Sequence, residues 1–244
     1  MKKNLLSSLI AMFSVNILLA QIVVFSPVKV DQNDIEQFLN VEMNYSKKIA
    51  QDAVNNGKLL GWVLMQNTNV GPDDYNFMWV NAYPTIEIAA NENAWWSHSE
   101  KVVGIKPDVL FSDSSKYKYD RSYTYKMQMS IPNTGPAAYV ILNFATPDDV
   151  NAVAASSKKY VIPHFKKNMS DNGMVGWGMA TKITPQGQEY SSMMTYDSYD
   201  SLKNAMKHLA GEGIIEGLPM DKLTKVTWEM RPIMKVISST TEKE

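Results

Sequence analysis

Histidine is the side chain here best suited to moving a proton near neutral pH, and the sequence contains three of them. His164 follows Pro163 in a segment predicted to be helical, where its imidazole could act as a catalytic acid–base group. An ordinary, partly exposed helix histidine is the simpler interpretation. His98 and His208 are expected on the surface. Three scattered histidines without any cysteine do not form a zinc motif, so no metal site is predicted.

Aromatic and methionine side chains are candidates for the walls of a site that takes a flat, apolar molecule. The candidate ligand-binding residues are Trp62, Trp79, Trp177, Tyr75, Tyr190 and Met193. Core packing is the alternative explanation for all of them. Trp95 and Trp96 are adjacent, and successive side chains on a helix point about 100° apart, so one of the two is expected to be exposed.

Several function classes are unlikely from what the sequence lacks. It contains no Gly-x-Ser-x-Gly, phosphate-binding loop, dinucleotide fingerprint or His-Glu-x-x-His, which argues against common hydrolases, nucleotide enzymes and zinc proteases. A net charge of −1 weighs against a nucleic-acid partner. Cofactor-free chemistry needs no short motif and stays open. Glu229 could face the interior of the fold or pair with Arg231.

Residues 1–20 have the parts of a secretory signal peptide. Lys2 and Lys3 precede a mostly apolar run that ends at Ala20. We therefore expect cleavage after Ala20, a periplasmic or secreted location and no membrane partner afterwards; an uncleaved N-terminal anchor is the alternative. The absence of cysteine means that packing, without disulfides, must stabilise the exported chain.

An internal repeat organises the rest of the chain. The stretch from Asn56 to Trp62 resembles that from Asn172 to Trp177, and Tyr and Met residues follow each at matched spacing (Tyr75 and Met78, Tyr190 and Met193). The repeat predicts two domain-sized units, residues 21–133 and 134–244.

Each unit is predicted to contain strand, helix, two strands of a hairpin, helix and strand. In the first unit the strands are 22–30, 59–66, 75–83 and 121–129, and the helices 31–56 and 92–103. In the second unit the strands are 138–144, 175–181, 189–196 and 223–230, and the helices are 147–172 and 200–209. Pro163 is expected to kink or divide the first of these helices. Residues 104–120 are an extra loop of the first unit. This α+β order is the ferredoxin-like plan. Apolar residues on both faces of the strands predict antiparallel sheets packed face to face as a single-chain α+β barrel.

The duplication, the Gly-Trp strands and the His164-Phe165 helix segment resemble the dimeric α+β barrel superfamily in a fused, two-repeat form. Its members include NIPSNAP-like, EthD-like and antibiotic-biosynthesis-monooxygenase-like families, among them heme-degrading and quinone-forming oxygenases. The resemblance implies a small ligand between the two sheets or between a sheet and its long helix. It also implies heme as a cofactor, with His164 on the helix that supplies an axial histidine in some relatives. The matching position of the first unit is Ile49, or Lys48 if the slip between the copies is placed earlier, so a site is expected in one half only.

The sequence thus predicts an exported barrel that binds a small apolar or aromatic molecule. One alternative is an oxygenase-like or heme-handling enzyme that uses the barrel pocket and His164. Another is a structural or protein-interaction module without a pocket.

Overall fold

A computed structural model describes residues 22–72, 74–91 and 94–241. The predicted signal peptide, residues 1–20, lies outside the described residues. The strands of the described ranges are β1 (Ile22–Lys29), β2 (Gly61–Asn67), β3 (Phe77–Tyr83), β4 (Lys118–Tyr119), β5 (Tyr123–Ile131), β6 (Tyr139–Ala145), β7 (Met174–Thr184), β8 (Met193–Tyr199), β9 (Trp228–Met230) and β10 (Ile233–Ser239). The α-helices are α1 (Ile35–Val41), α2 (Lys47–Asn55), α3 (Ile86–Ala89), α4 (Ser99–Val103), α5 (Pro107–Leu110), α6 (Val150–Ser156), α7 (Ile162–Asn168) and α8 (Leu202–Leu209).

Eight of these strands close into an antiparallel barrel. Their order is β2-β3-β1-β5-β7-β8-β6-β10, and β10 pairs with β2 to complete the ring. The short strands β4 and β9 are attached to β1 and β6. The fold is therefore α+β, with helices outside a closed antiparallel barrel formed by one chain. This confirms the predicted fold class and the predicted single-chain barrel.

The last strand of each half joins it to the other half, while it also pairs with the first strand of its own half. β5, the last main strand of the first half, pairs with β7, and β10, the last strand of the second half, pairs with β2. The barrel wall is consequently one continuous ladder of hydrogen bonds, rather than two separate sheets that touch only through side chains.

The barrel interior is a filled apolar core. Val23, Phe25, Leu142 and Met194 are among its buried members, and the space left between them is about 20 Å³, room for roughly one water molecule. Gly178 has to be glycine because a Cβ there would lie 2.3 Å from a ring carbon of Tyr196. The interior therefore offers no room for an organic ligand.

A long helix covers the outer face of each half, and both helices contain a π-helical turn at corresponding positions. In the first half the turn Glu42–Ser46 joins α1 to α2; in the second, Ser157–Val161 joins α6 to α7. The predicted break near Pro163 thus takes the form of a π turn that ends before it, with the proline in the first turn of α7. Because the first half has the same turn without a proline, the turn is a feature of the fold.

Two predicted elements of the second half are shifted. Only Trp228–Met230 of the predicted last strand is extended, and the principal strand is Ile233–Ser239, beyond Pro232. A proline without an N–H is tolerated at that junction, where one strand ends and the next begins. The return strand of the hairpin begins at Met193 rather than at residue 189.

The second helix of the first half is also irregular. Trp95–His98 is a 3₁₀ helix that leads into α4, and the first two residues of the prediction, 92 and 93, lie outside the described residues. The loop 104–120 contains α5, a 3₁₀ helix and β4. The prediction that it is extra to the first half is wrong, because the last main strand of the second half begins only at Ile233 and leaves a connection of similar length after α8. No helix in the described ranges is long and apolar enough to cross a bilayer.

The hairpins of the two halves match with a slip of one residue. β3 ends at Tyr83 and β8 at Tyr199, so that Met78 faces the barrel interior while Met193 faces the helices. Side chains alternate along a strand, and one added residue therefore reverses the faces. The sequence match of Met78 with Met193 is thus wrong as a structural equivalence.

Candidate functional site

A buried region with several polar side chains lies between the outer face of β3 and the helices of the first half. We call it the first layer: it is bounded by the long helix 35–55, the helical segment 95–103 and the outward-facing side chains of β3. The equivalent space outside β8 is the second layer. Phe77, Trp79, Asn81 and Tyr83 alternate on the outer face of β3, at the strand positions of Met193, Thr195, Asp197 and Tyr199 in β8.

Glu42 is a buried carboxyl in the first layer. It is the first residue of the π turn, its side chain is only 5% exposed, and its Oε2 accepts a hydrogen bond of 2.9 Å from Nε1 of Trp79. Burial raises the pKa of Glu42 to about 7, against smaller lowering contributions from Trp79 and Ser46. A carboxyl with such a pKa can take up or release a proton near neutral pH. The corresponding residue of the second half is Ser157.

Aromatic rings from segment 104–120 cover this carboxyl. Tyr119 stacks on Trp79 with 5.7 Å between ring centroids and 16° between planes, and Tyr117 packs edge-on against Phe38 at 5.3 Å. Burial, reinforced by the charge of Glu42, raises the pKa of Tyr119 to about 12. This segment therefore shields Glu42 from solvent.

Within the described residues, three polar atoms in the first layer are buried without a hydrogen-bond partner: Ser46 Oγ, Asn81 Oδ1 and Trp95 Nε1. The Ser46 hydroxyl is close enough to Glu42 to lower the pKa of its carboxyl, but it has no hydrogen bond of normal geometry. The indole N–H of Trp95 is likewise close enough to Tyr83 to lower the pKa of its hydroxyl, but it has no hydrogen bond of normal geometry. Burial has the larger effect and raises the pKa of Tyr83 to about 12. Buried polar atoms in proteins are nearly always hydrogen-bonded, so three in one layer require an explanation.

The second layer has polar residues at the same strand positions, and these are partnered. Asn143 Nδ2 donates to Asp197 Oδ2 at 2.5 Å and to Thr195 Oγ1 at 3.0 Å, while its own Oδ1 accepts from Nε of Arg231 at 2.6 Å. Asp197 and Asn81 occupy equivalent positions, yet only the second-half residue has its side chain satisfied.

His208 completes this network and is not a surface residue. Its Nδ1 lies 2.5 Å from the hydroxyl of Tyr199, its Nε2 lies 4.0 Å from Asp197, and the residue is 7% exposed. Burial lowers the pKa of His208, although Asp197 opposes the shift. The prediction of a surface position is wrong because α8 is amphipathic and turns His208 toward β8.

An open cleft of about 580 Å³ adjoins the first layer, and its volume is in the range of small-molecule sites. Tyr83, Ile88 and Trp95 contribute rings and apolar surface, and Lys58 and His98 contribute polar groups. Trp95 is 8% exposed and Trp96 is 42% exposed, which confirms the prediction that one of the two adjacent indoles is exposed. The cleft itself was not predicted, because its wall combines residues from the turn after α2, from β3, from α3 and from the 3₁₀ helix Trp95–His98.

The predicted ligand-binding residues are distributed over several places. Trp62 is buried in the first layer, Trp177 and Met193 in the second, and Tyr190 lies at one end of the barrel beside Tyr123. Trp79 bonds Glu42, and Tyr75 precedes β3. The structure does not bring them together, and their roles in binding stay predictions.

His164 is engaged by neighbouring residues. Its Nε2 is 2.8 Å from the carbonyl oxygen of Ile214, and its Nδ1 is 3.4 Å from the amide nitrogen of Asn168. Next to it, Phe165 packs edge-on against Trp177 with 6.2 Å between centroids and fills the second layer. An axial ligand needs a free ring nitrogen and open space, so these residues do not fit a heme group at His164.

No protein-family model matches this chain, and no curated protein matches it. Solved structures do share its fold. A candidate monooxygenase of Lactobacillus acidophilus NCFM is 12% identical, with 92% of this chain and 97% of that chain covered and a TM-score of 0.54. One from Fusobacterium nucleatum is 10% identical (92% and 95% covered, TM-score 0.58). A mutant chlorite dismutase of Candidatus Nitrospira defluvii, crystallised with cyanide, is 9% identical (91% and 94% covered, TM-score 0.54). These proteins belong to the dimeric α+β barrel superfamily, and at such identities the likeness shows the fold alone.

Proposed function

We propose that the protein binds a small, mainly aromatic molecule in the first layer, which it enters through the cleft at Trp95. The observation that carries the proposal is the contrast between the two layers: among the described residues, Asn81 leaves a buried atom unpartnered where its equivalent Asp197 is hydrogen-bonded, and Ser46 and Trp95 leave two more in the first layer. A bound molecule would supply the missing partners in the half that also has the cleft.

The orphaned atoms describe the ligand that would satisfy them. Nε1 of Trp95 requires an acceptor, and Oδ1 of Asn81 requires a donor. The rings of Tyr83 and Trp95 favour a flat apolar body. A hydroxylated aromatic compound, which offers a ring, a donor and an acceptor, meets all three requirements. A buried carboxyl such as Glu42 disfavours an anionic group beside it.

The test is ligand-dependent thermal stability with a panel of phenols and hydroxylated naphthalenes. A compound that raises the melting temperature of the wild type should bind several-fold more weakly to Trp95→Phe, which keeps a ring but removes the N–H. Trp96→Phe, at the exposed neighbouring indole, is the matched control and should bind as the wild type does. If no compound raises the melting temperature, or if both variants bind equally, the protein is better described as a structural or interaction module.

Acid–base catalysis at Glu42, as in an oxygenase-like enzyme, is the second candidate. The carboxyl is buried among aromatic rings with a pKa of about 7, which suits a group that removes a proton from a phenol in a water-poor layer. The candidate monooxygenases among the structural neighbours favour the same reaction class. Oxygen consumption with the compounds found above should fall at least tenfold in Glu42→Gln while their binding is retained. Unchanged turnover in this variant would remove Glu42 from the reaction. Heme chemistry would need an iron ligand other than His164.

We also propose that the chain arose as two fused ferredoxin-like repeats and that it is exported. The same strand order in each half and the π turns at corresponding positions support the duplication. Residues 1–20 support export to the periplasm or the medium, without nucleic-acid or membrane partners. N-terminal sequencing of the protein from its own host should begin at Gln21; a retained Met1 would favour an anchor.

A further inference from the structure

One end of the barrel holds a lysine surrounded by tyrosines. Lys182 is on β7, on the same face as Ala180 of the interior core, and its Nζ lies over three rings. The distances to the ring centroids are 5.2 Å for Tyr190, 5.7 Å for Tyr125 and 5.8 Å for Tyr123. We call these three residues the tyrosine cage.

The amine of Lys182 is half-buried and has no direct polar partner in the described part of the chain. No described carboxylate lies within 4.0 Å of its Nζ, and Glu229 acts on it only at longer range. Glu229 is itself exposed and accepts a hydrogen bond of 2.6 Å from Ser191. A partly buried ammonium is held by ring faces alone, which is an unusual environment for a purely structural lysine.

A second unsatisfied group lies directly across the hairpin. Ser192 accepts the backbone hydrogen bond of Lys182 at 2.9 Å, so both side chains are on the interior face of the sheet. Its Oγ is buried and has no hydrogen-bond partner. The Lys182 amine and the Ser192 hydroxyl therefore lie on the same face at the end of the barrel, and neither has a hydrogen-bond partner among the described residues.

Burial lowers the pKa of Lys182 to about 8, against the opposing charge of Glu229. At pH 7 about a tenth of the amines would then be neutral, whereas an ordinary lysine is neutral in fewer than roughly one molecule in a thousand. Neutral amines are nucleophiles, and desolvated lysines are the usual site of imine formation with carbonyl compounds.

We propose that the tyrosine cage is a second site, in which Lys182 condenses reversibly with an aldehyde carried on a flat apolar body. The neutral Nζ attacks the carbonyl carbon and forms a C–N bond, while one nitrogen proton passes to the carbonyl oxygen to give a carbinolamine. The C–O bond then breaks, and the hydroxyl leaves as water with the second nitrogen proton, so that the imine remains. The Ser192 hydroxyl is free to donate a hydrogen bond to the carbonyl oxygen, and the tyrosine rings contact the apolar body. No oxidant or cofactor is consumed.

Reductive trapping tests the proposal directly. The purified protein is incubated with benzaldehyde and sodium cyanoborohydride, and the modified lysines are quantified by peptide mass mapping. At pH 7.5, Lys182 should be modified at least tenfold faster than Lys203, an exposed lysine on α8, because its amine is far more often neutral. Its rate should rise to half of its maximum near pH 8. Modification of Lys182 at or below the rate of Lys203 would overturn the proposal.

Two variants distinguish the cage from general reactivity. Lys182→Arg keeps the cation over the rings but cannot form an imine, so the fast phase of modification should vanish while the rate at Lys203 is unchanged. Tyr190→Leu opens the cage and should lower the preference for Lys182 several-fold, with the circular dichroism spectrum as a check on the fold. A preference that survives Tyr190→Leu would show that the cage does not form the site.

Discussion

Replacement of Glu42 by glutamine should change how the stability of the protein depends on pH. The folded state raises the pKa of this carboxyl from 4.5 to about 7 because burial disfavours the charge. The folded protein therefore binds one more proton than the unfolded chain between these values, and the resulting stabilisation is complete below pH 4.5 and lost as pH rises through 7. Integrated from pH 5 to pH 8, the loss is roughly 2–3 kcal/mol. Glutamine does not titrate, and its amide oxygen can still accept from Trp79.

The measurement is urea unfolding at pH 5 and pH 8, followed by tryptophan fluorescence. The free energy of unfolding of the wild type, relative to Glu42→Gln, should fall by roughly 2–3 kcal/mol between the two pH values. Glu36→Gln, on the exposed side of the same helix, removes one carboxylate that solvent screens and should leave the pH dependence nearly unchanged. If the wild type and Glu42→Gln keep a constant difference at both pH values, Glu42 is not the buried, titrating group described above.

Three further changes test other parts of the structure. Gly178→Ala should destabilise the protein by about 1–3 kcal/mol in denaturant unfolding, because its Cβ would lie 2.3 Å from the ring of Tyr196; wild-type stability would show that the interior is looser. Asn143→Leu removes the donor to Asp197 and should cost about 1–3 kcal/mol, because a buried side chain loses its hydrogen bond; unchanged stability would mean that water replaces the amide. Titration of hemin into wild type and His164→Ala should give the same Soret spectrum, since both ring nitrogens are engaged; a shift lost only in His164→Ala would contradict this.

The order of elements was predictable from the sequence because it follows from local patterns. The repeated Gly-Trp strands, the acidic start of the first helix and the turn residues of the hairpins are all local signals, and together they predict the α+β order. The pairing of β5 with β7 and of β10 with β2, across the two halves, was not predictable, because it depends on which strand edges meet in space. The slip of one residue in the return strands had no sequence signal either, and it reversed the equivalence of Met78 and Met193.

The candidate site was harder to predict than the fold. Glu42 follows Phe38 by four residues and precedes Ser46 by four, and this spacing places it on the buried face of its helix. A single acidic residue on such a face could have been identified. Its raised pKa could not, because the aromatic cover comes from the distant segment 104–120. His208 was misplaced because one polar residue on a helix is usually exposed, and its partners Tyr199 and Asp197 are on another element.

The pairing of β10 with β2 has a consequence for biosynthesis. β10 fills the gap between β2 and β6 and follows both of them in the chain, so the ring cannot close until β10 has left the ribosome. Until then the edges of β2 and β6 are unpaired and can associate with other chains. If the chain is exported as proposed, the barrel stays incomplete while the chain passes through a translocation channel. Folding is then completed on the other side of the membrane. A protein truncated before β10 should accordingly be held by chaperones or aggregate, rather than accumulate as a smaller barrel.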